Sequence, residues 1–414
     1  MPAGVLNDVV LGYQLLWNAQ RQVAGVLLTL DAAAGHTLAI EPLLHTVGQL
    51  WGSKAPALTL STPSPGLLTE LLQACPTTLA SLMVDSMLLD NPAMLQHVQH
   101  AGRRGLKLVW HANGDNARLM PGTAMHFSQS VSGLSVDDTL LALRLALRGK
   151  HGTPGSPGSP GTQSLHQASP VQAGKIYQDI ASRTLAEHCL DEQAASALLG
   201  WPVEDVLHGY RQSGIQPGQG VMRCLVKAID SDASMDDIEF WLGQDPVLAY
   251  RFLRYTNSAG LGLSREIDAL RQGLMVLGLS HTKKWLLDLL PHAAHDSNLQ
   301  PVRQAMVLRA TFMADLLDAG ESEALKRELY LCGLLSQIDQ LVAEPMANVL
   351  ASIPLPSRVK EAIAGQTGPY WPFLEVATAT ESTQLDLTLA RCQQHSFDLE
   401  EVNLVLLRTL ATLK

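Results

Sequence analysis

No two cysteines in this chain stand close enough to suggest a zinc knuckle or a redox pair. Cys75, Cys189, Cys224, Cys332 and Cys392 are widely separated and include no C-x-x-C, so reduced core thiols are expected. Positive charge is also scarce: 29 basic against 39 acidic residues give a net charge of −10. A sequence-independent nucleic-acid binder needs a basic footprint, so neither DNA nor RNA is expected as a partner. No apolar run approaches the roughly 20 residues of a membrane helix, which argues against membrane insertion. The opening MPAGVLNDVV has no basic stretch ahead of an apolar one and does not read as a signal peptide. Together these features lead to an expected cytoplasmic location. There is no phosphate-binding G-x-x-x-x-G-K-[ST] and no G-x-S-x-G elbow. Gly260-Leu261-Gly262 lacks the third glycine and the preceding strand of a dinucleotide site.

What is present is a chain of 414 residues, 46% of them hydrophobic, enough for two or three domains with ordinary cores. Residues 5 to 30 read as a hairpin, with VVLGYQLLW and VAGVLLTL on either side of NAQRQ. Ala57–Ser61, Leu79–Asp85 and Leu106–Trp110 read as buried strands. Gly66–Gln73 and Pro92–Arg104 read as the helices between them. This alternation predicts parallel strands with crossover helices over residues 1–148. From 149 to 170 the sequence GKHGTPGSPGSPGTQSLHQASP has no periodicity and predicts a flexible Gly/Ser/Pro tether. Residues 171–217 read as a helical connector. A DNA-reading helix there is disfavoured, because the last helix opens on Glu204 and Asp205 and carries a single arginine, Arg211.

Residues 218–414 are organised around Asp245 to Pro291. Asp245 caps a helix that opens on Pro246, and Leu248, Ala249, Phe252 and Leu253 share one face. Asn257-Ser258-Ala259-Gly260 ends it, Gly278 closes a second helix, and Ser280 is expected to cap a third. Met306, Ala310, Met313 and Leu317 form a later core stripe, and Asp398 with Glu401 opens the last helix.

The order DP-x-L-x-x-R-x-L-R-x-x-NSA-x-x-G, followed by I-x-x-L-R-x-G-x-x-x-LG, resembles the HD-related output domain (HDOD) of bacterial signalling proteins. The resemblance covers roughly residues 218 to 405. It implies an all-helical fold related to the HD phosphohydrolases, signal transduction, and usually no metal ligands. Aligned on it, the HD dipeptide falls at Ser336-Gln337, in YLCGLLSQIDQL, and an upstream helical histidine falls at Arg309. The literal His295-Asp296 lies in a polar loop between prolines and reads as a chance dipeptide. Tyr13 to Leu28 resembles the first hairpin of EAL domains, the barrel phosphodiesterases of cyclic diguanylate. That resemblance puts the glutamate of the motif at Leu27 and paired aspartates near His111-Ala112. Neither position offers the carboxylate cage a hard cation needs. About 150 residues are also fewer than the roughly 250 of a full barrel, so a truncated, degenerate EAL-like domain is expected.

The expected architecture is therefore α+β and multidomain: an N-terminal α/β EAL-barrel-like domain and a C-terminal all-α HD-related bundle. The expected function is signalling through protein–protein contacts of the HDOD domain, with other signalling proteins as partners, no cofactor and no catalytic activity. A homo-oligomer is left open. Alternatives are a divergent metal-dependent phosphodiesterase or phosphohydrolase, and a non-hydrolysing nucleotide receptor. Arg251, Arg254, Asn257, Ser258 and Arg265 form a polar cluster suited to an anionic ligand or partner, since guanidinium groups fit phosphate and carboxylate. The competing reading is that they only cap and shape the helix.

Overall fold

The computed structural model describes residues 4–113, 121–151, 168–261, 266–317 and 322–413. The chain divides into two units, residues 1–205 with the last four residues, and residues 206–410. The expected α+β, multidomain class is the one observed.

In the first unit eight strands close into a barrel in chain order. β1 (Val9–Trp17) and β2 (Val23–Ala32) form the expected hairpin, antiparallel from Val9–Ala32 to Trp17–Val23. Asn18 shapes the turn, its side-chain oxygen accepting the amides of Gln20 and Gln22 at 2.9 and 3.0 Å. Arg21 holds a φ of 59° there. Its guanidinium offsets that strain: it donates to both carboxylate oxygens of Asp191 at 2.5 and 2.6 Å and lies 5.8 Å from the Trp201 ring centre.

β3 (Ala57–Ser61), β4 (Ser81–Asp85), β5 (Leu108–Ala112) and β6 (Gln129–Ser132) continue parallel to β2. The helices α1 (Ile40–Leu50), α2 (Pro65–Ala74) and α3 (Pro92–Arg103) lie between successive strands, and α4 (Val136–His151) follows β6. Ser64 and Asn91 cap α2 and α3, each with proline at the first helical position.

The expectation of a truncated domain rested on counting about 150 residues against a full barrel's roughly 250, but the described part of residues 1–148 supplies six of the eight strands. β7 (Ile176–Gln178) and β8 (Ala197–Leu199) come from the segment expected to be a helical connector. β7 runs parallel to β6 and β8, and β8 closes antiparallel on β1. Strands of three residues are too short to show a period, so closure rests on pairing with distant strands rather than on local pattern. The barrel also economises on helix: only a turn at Arg183–Glu187 and a π-helical turn to Glu192 separate β7 from β8. Of the expected tether, residues 149–151 belong to α4 and 152–167 lie outside the described residues. Ser169, near its end, has its hydroxyl 3.0 Å from Nε2 of buried His188, whose Nδ1 meets Glu192 at 2.5 Å.

The described part of the second unit is helical apart from one isolated bridge, Gly218 with Ala294. It contains α5 (Gln219–Asp230), α6 (Met235–Gly243), α7 (Pro246–Thr256), α8 (Leu270–Leu277) and α9 (Leu279–Leu289). The longer helices after these are α10 (Gln300–Asp315), α11 (Glu323–Leu335), α12 (Trp371–Thr380), α13 (Leu385–Gln394) and α14 (Leu399–Ala411). Asp245 caps α7 as expected, accepting the amides of Val247 and Leu248 at 2.9 and 3.0 Å. It does more than cap. Fully buried, it also accepts the Gly218 amide at 2.7 Å and stands 3.2 Å from the Arg303 guanidinium. A buried charge needs this degree of pairing. Leu248, Ala249, Phe252 and Leu253 are all fully buried.

Gly278, at φ 77°, joins α8 to α9 and stands at the N-cap position where Ser280 was expected. A side chain is strained at that φ, so the turn falls on the glycine. Met306, Ala310 and Met313 are buried in α10, while Leu317 lies past its end. A Cβ on Gly333 of α11 would stand 2.6 Å from the Ala310 Cα, so these two helices meet backbone to backbone. Asp398 accepts the Glu400 amide at 3.0 Å at the start of α14.

Candidate functional site

The cluster singled out on α7 lies beside a cleft of about 430 Å³. A spacing of three places Arg251 and Arg254 on adjacent turns of one face, and both line the cleft. Ser258 and Tyr255 join them from the same helix end, Trp285 from α9, and Glu344 from the segment after Ile338–Val342. Tyr255 stacks on Trp285 with ring centres 5.4 Å apart and planes at 15°. Trp285 in turn meets Phe252 edge-on at 5.5 Å, which fixes the stack to the core. Arg251 is half-buried and Arg254 exposed. Among the described residues neither has a hydrogen-bonded or ion-paired partner. Burial lowers the Arg251 pKa below the ordinary arginine value; Asp245 opposes the shift and Arg254 adds to it. The group stays charged all the same.

Asn257 does not join them. Its amide nitrogen donates to the carbonyls of Leu253 and Ile267 at 2.7 and 2.8 Å, and its oxygen accepts the Ile267 amide at 2.9 Å. All its hydrogen-bonding capacity that the structure uses goes into tying the end of α7 to the start of the next segment. Arg265 lies outside the described residues.

The positions aligned with HD metal ligands do come together in space. Arg309 of α10 is buried, and its Nη1 donates to the Ser336 hydroxyl at 2.9 Å. Nε and Nη2 donate to the two carboxylate oxygens of Glu381 at 2.7 and 2.6 Å. A fixed organic cation with its own carboxylate thus occupies this place. The sequence placed Arg309 and Ser336, but Glu381 carries no motif and becomes visible only through contact. His295-Asp296 is spent elsewhere: Asp296 accepts the Asn298 amide at 3.0 Å and the Tyr210 hydroxyl at 2.5 Å.

In the barrel, Leu27 belongs to a buried layer with Leu16, Met83, Val109, Val131, Ile176, Ala197 and Leu199. Side chains two residues further along a strand face the same way. Thr29, Asp85, His111 and Gln178 therefore form the next layer, at the C-terminal ends of the parallel strands, where barrels of this kind place their sites. His111 stands 3.4 Å from Asp85 through Nδ1 and 3.1 Å from the Gln178 oxygen through Nε2. Asn113 donates to Asp85 at 3.1 Å. One carboxylate, one imidazole and an amide oxygen are a poor cage for a hard cation. Among the described residues no group of three or more His, Cys, Asp or Glu is placed to hold a metal.

The family model of the HDOD domain matches residues 218–352. The helical unit carries an HDOD domain. The chain is similar to Bacillus subtilis YuxH, 27% identical over 150 residues, 35% of this chain and 36% of that protein. It is also similar to the cyclic di-GMP phosphodiesterase CdgJ of Vibrio cholerae, 26% identical over 167 residues, 40% of this chain and 38% of that protein. The matches thus span little more than a third of the length of either relative. Among solved structures it is similar to the PaMucR phosphodiesterase in complex with c-di-GMP, with a TM-score of 0.30 and 12% identity, covering 47% of this chain and 90% of that one. It is similar as well to the S helix-GGDEF-EAL part of Vibrio cholerae LapD, with a TM-score of 0.29 and 12% identity, covering 48% and 54%.

CdgJ corrects one expectation. Absence of catalytic activity was inferred from a few substituted positions, and a named enzyme that matches this chain over 167 residues overturns it. The sequence marks His111 but not its grouping with Asp85 and Gln178, which the pairing of β4 with β5 and the approach of β7 bring together. Arg251, Arg254 and Ser258 line one cleft, and Asn257 is not among its lining residues.

Proposed function

We propose that this chain works in cyclic di-GMP signalling, with its HDOD domain as the output module that engages other signalling proteins. The observation that carries the reading is the 26% identity over 167 residues with a protein named as a cyclic di-GMP phosphodiesterase. The HDOD match at 218–352 supports the output role. So does the Arg309–Glu381–Ser336 arrangement, which fills the interior position an HD hydrolase would use and leaves the domain its surface to act through.

The test is production of the full chain in a bacterium whose swimming is under cyclic di-GMP control, with motility, cyclic di-GMP content and crosslinked partners measured together. A change in motility, with crosslinks to a partner from residues 206–410, is expected. Unchanged motility and unchanged cyclic di-GMP content, with the chain present and folded, would end the reading. Incubation of the purified chain with cyclic di-GMP then reads how the barrel takes part. Release of the linear dinucleotide that falls in Asp85→Ala places the reaction at the barrel mouth.

A further inference from the structure

Two arginines three residues apart on one helical face repel each other, and proteins usually quiet such a pair with carboxylates. Elsewhere in the helical unit several arginines that are not fully exposed each meet an acid: Arg309 has Glu381, Arg358 has Glu328 at 3.0 Å, and Arg391 has Glu375 at 3.1 Å. Arg251 and Arg254 do not. One is half-buried, the other exposed, and neither meets an acid within ion-pairing distance among the described residues. Asp245, the acid whose field reaches Arg251, is fully buried and already committed to three backbone amides and Arg303.

The rest of the cleft wall is not basic. It offers the stacked pair of Tyr255 and Trp285, the serine hydroxyls of Ser213 and Ser258, and one carboxylate, Glu344. A purely anionic ligand would be repelled by Glu344 and would gain nothing from the aromatic wall. A ligand with one compact anionic group, a planar ring and N–H donors meets all three features. The arginines take the anion, the tyrosine–tryptophan wall takes the ring, and the carboxylate takes the donors. The volume of about 430 Å³ falls within the usual range for small-molecule sites.

We propose that this cleft of the HDOD domain is a nucleotide site, with Arg251 and Arg254 on the phosphate and the Tyr255–Trp285 wall beside the base. The inference goes beyond the output reading and does not need it, since a nucleotide can bind whether or not a partner does. It also makes the HDOD domain a receiver as well as an output module.

The test is isothermal titration calorimetry of the full-length chain with cyclic di-GMP, the linear dinucleotide, cyclic GMP, cyclic AMP, GMP and inorganic phosphate. At least one nucleotide is expected to bind saturably, weakening as salt is raised. Arg251→Met and Arg254→Met, each checked for an unchanged melting curve, are expected to weaken it roughly 10- to 100-fold, the worth of a hydrogen bond to a charged group. Arg251→Lys keeps the charge but loses the fork and is expected to fall between the wild type and Arg251→Met. Tyr255→Ala is expected to weaken the nucleotide while leaving inorganic phosphate unaffected. No saturable binding of any of the nucleotides overturns the proposal. So does nucleotide binding that both methionine variants leave intact, which puts the ligand in the barrel. Phosphate binding as tightly as every nucleotide also overturns it, since the ring would then contribute nothing. These outcomes are independent of motility, so loss of the cleft and loss of the output role read differently.

Discussion

The barrel and the helical unit each contain a place where the resemblance would put metal ligands, and they fill it in opposite ways. In the barrel the position falls on Leu27, inside a layer of aliphatic side chains drawn from seven of the eight strands. In the HDOD domain it falls on Arg309, a buried cation held by both oxygens of Glu381 and the Ser336 hydroxyl. The first solution removes charge and the second keeps charge but makes it covalent. The aliphatic layer is stabilised by burial alone and tolerates repacking. The ionic one depends on every member, because a buried charge left without its partner is costly.

Putting charge back into the aliphatic layer should have the largest effect. Leu27→Glu is expected to destabilise the barrel by about 4 kcal/mol or more, since an unpaired carboxylate would be buried among Met83, Val109 and Ile176. Urea unfolding followed by near-ultraviolet dichroism would measure it. A variant as stable as the parent would mean that the layer is open to water or to a cation.

Next in size is removal of the covalent cation. Arg309→Leu leaves the Glu381 carboxylate, still largely buried, facing Ser336 and is expected to cost about 3–5 kcal/mol. Adding Glu381→Leu should recover most of that loss. If the double variant is as unstable as the single one, the pair matters for its shape and the contrast with the barrel disappears.

The smallest effect is one of reactivity. Burial pushes Cys75 and Cys392 up to about 11 and Cys189 and Cys332 up to about 12. Thiolate, the reactive form, is then scarce at pH 8, and only the half-buried Cys224 should react promptly with a thiol reagent. Cys75 and Cys189 lie in the barrel unit, Cys332 and Cys392 in the other. Their delayed labelling in denaturant should therefore report each unit separately, Cys75 and Cys189 first in Leu27→Glu, Cys332 and Cys392 first in Arg309→Leu. Labelling of the four buried cysteines together in both variants would show a single cooperative transition instead.

Much of this protein was readable before folding. The hairpin turn at NAQRQ, the helices over Gly66–Gln73 and Pro92–Arg104, and the α7 signature at Asp245 follow from local chemistry: turn residues, proline at a helix start and one-faced apolar spacing. Arg251 and Arg254 share a face because three residues make most of a helical turn, and no tertiary contact is needed to know it. What folding alone decided is everything that joins distant segments. The strands Ile176–Gln178 and Ala197–Leu199 are too short to announce themselves and exist because the barrel needs them to close. Glu381 is 72 residues from Arg309, and Gln178 is 67 residues from His111. Local sequence determines how each segment is built, through backbone preference and periodicity. Which charges and polar groups meet is set by packing, because those pairings depend on distances in space that no spacing along the chain encodes.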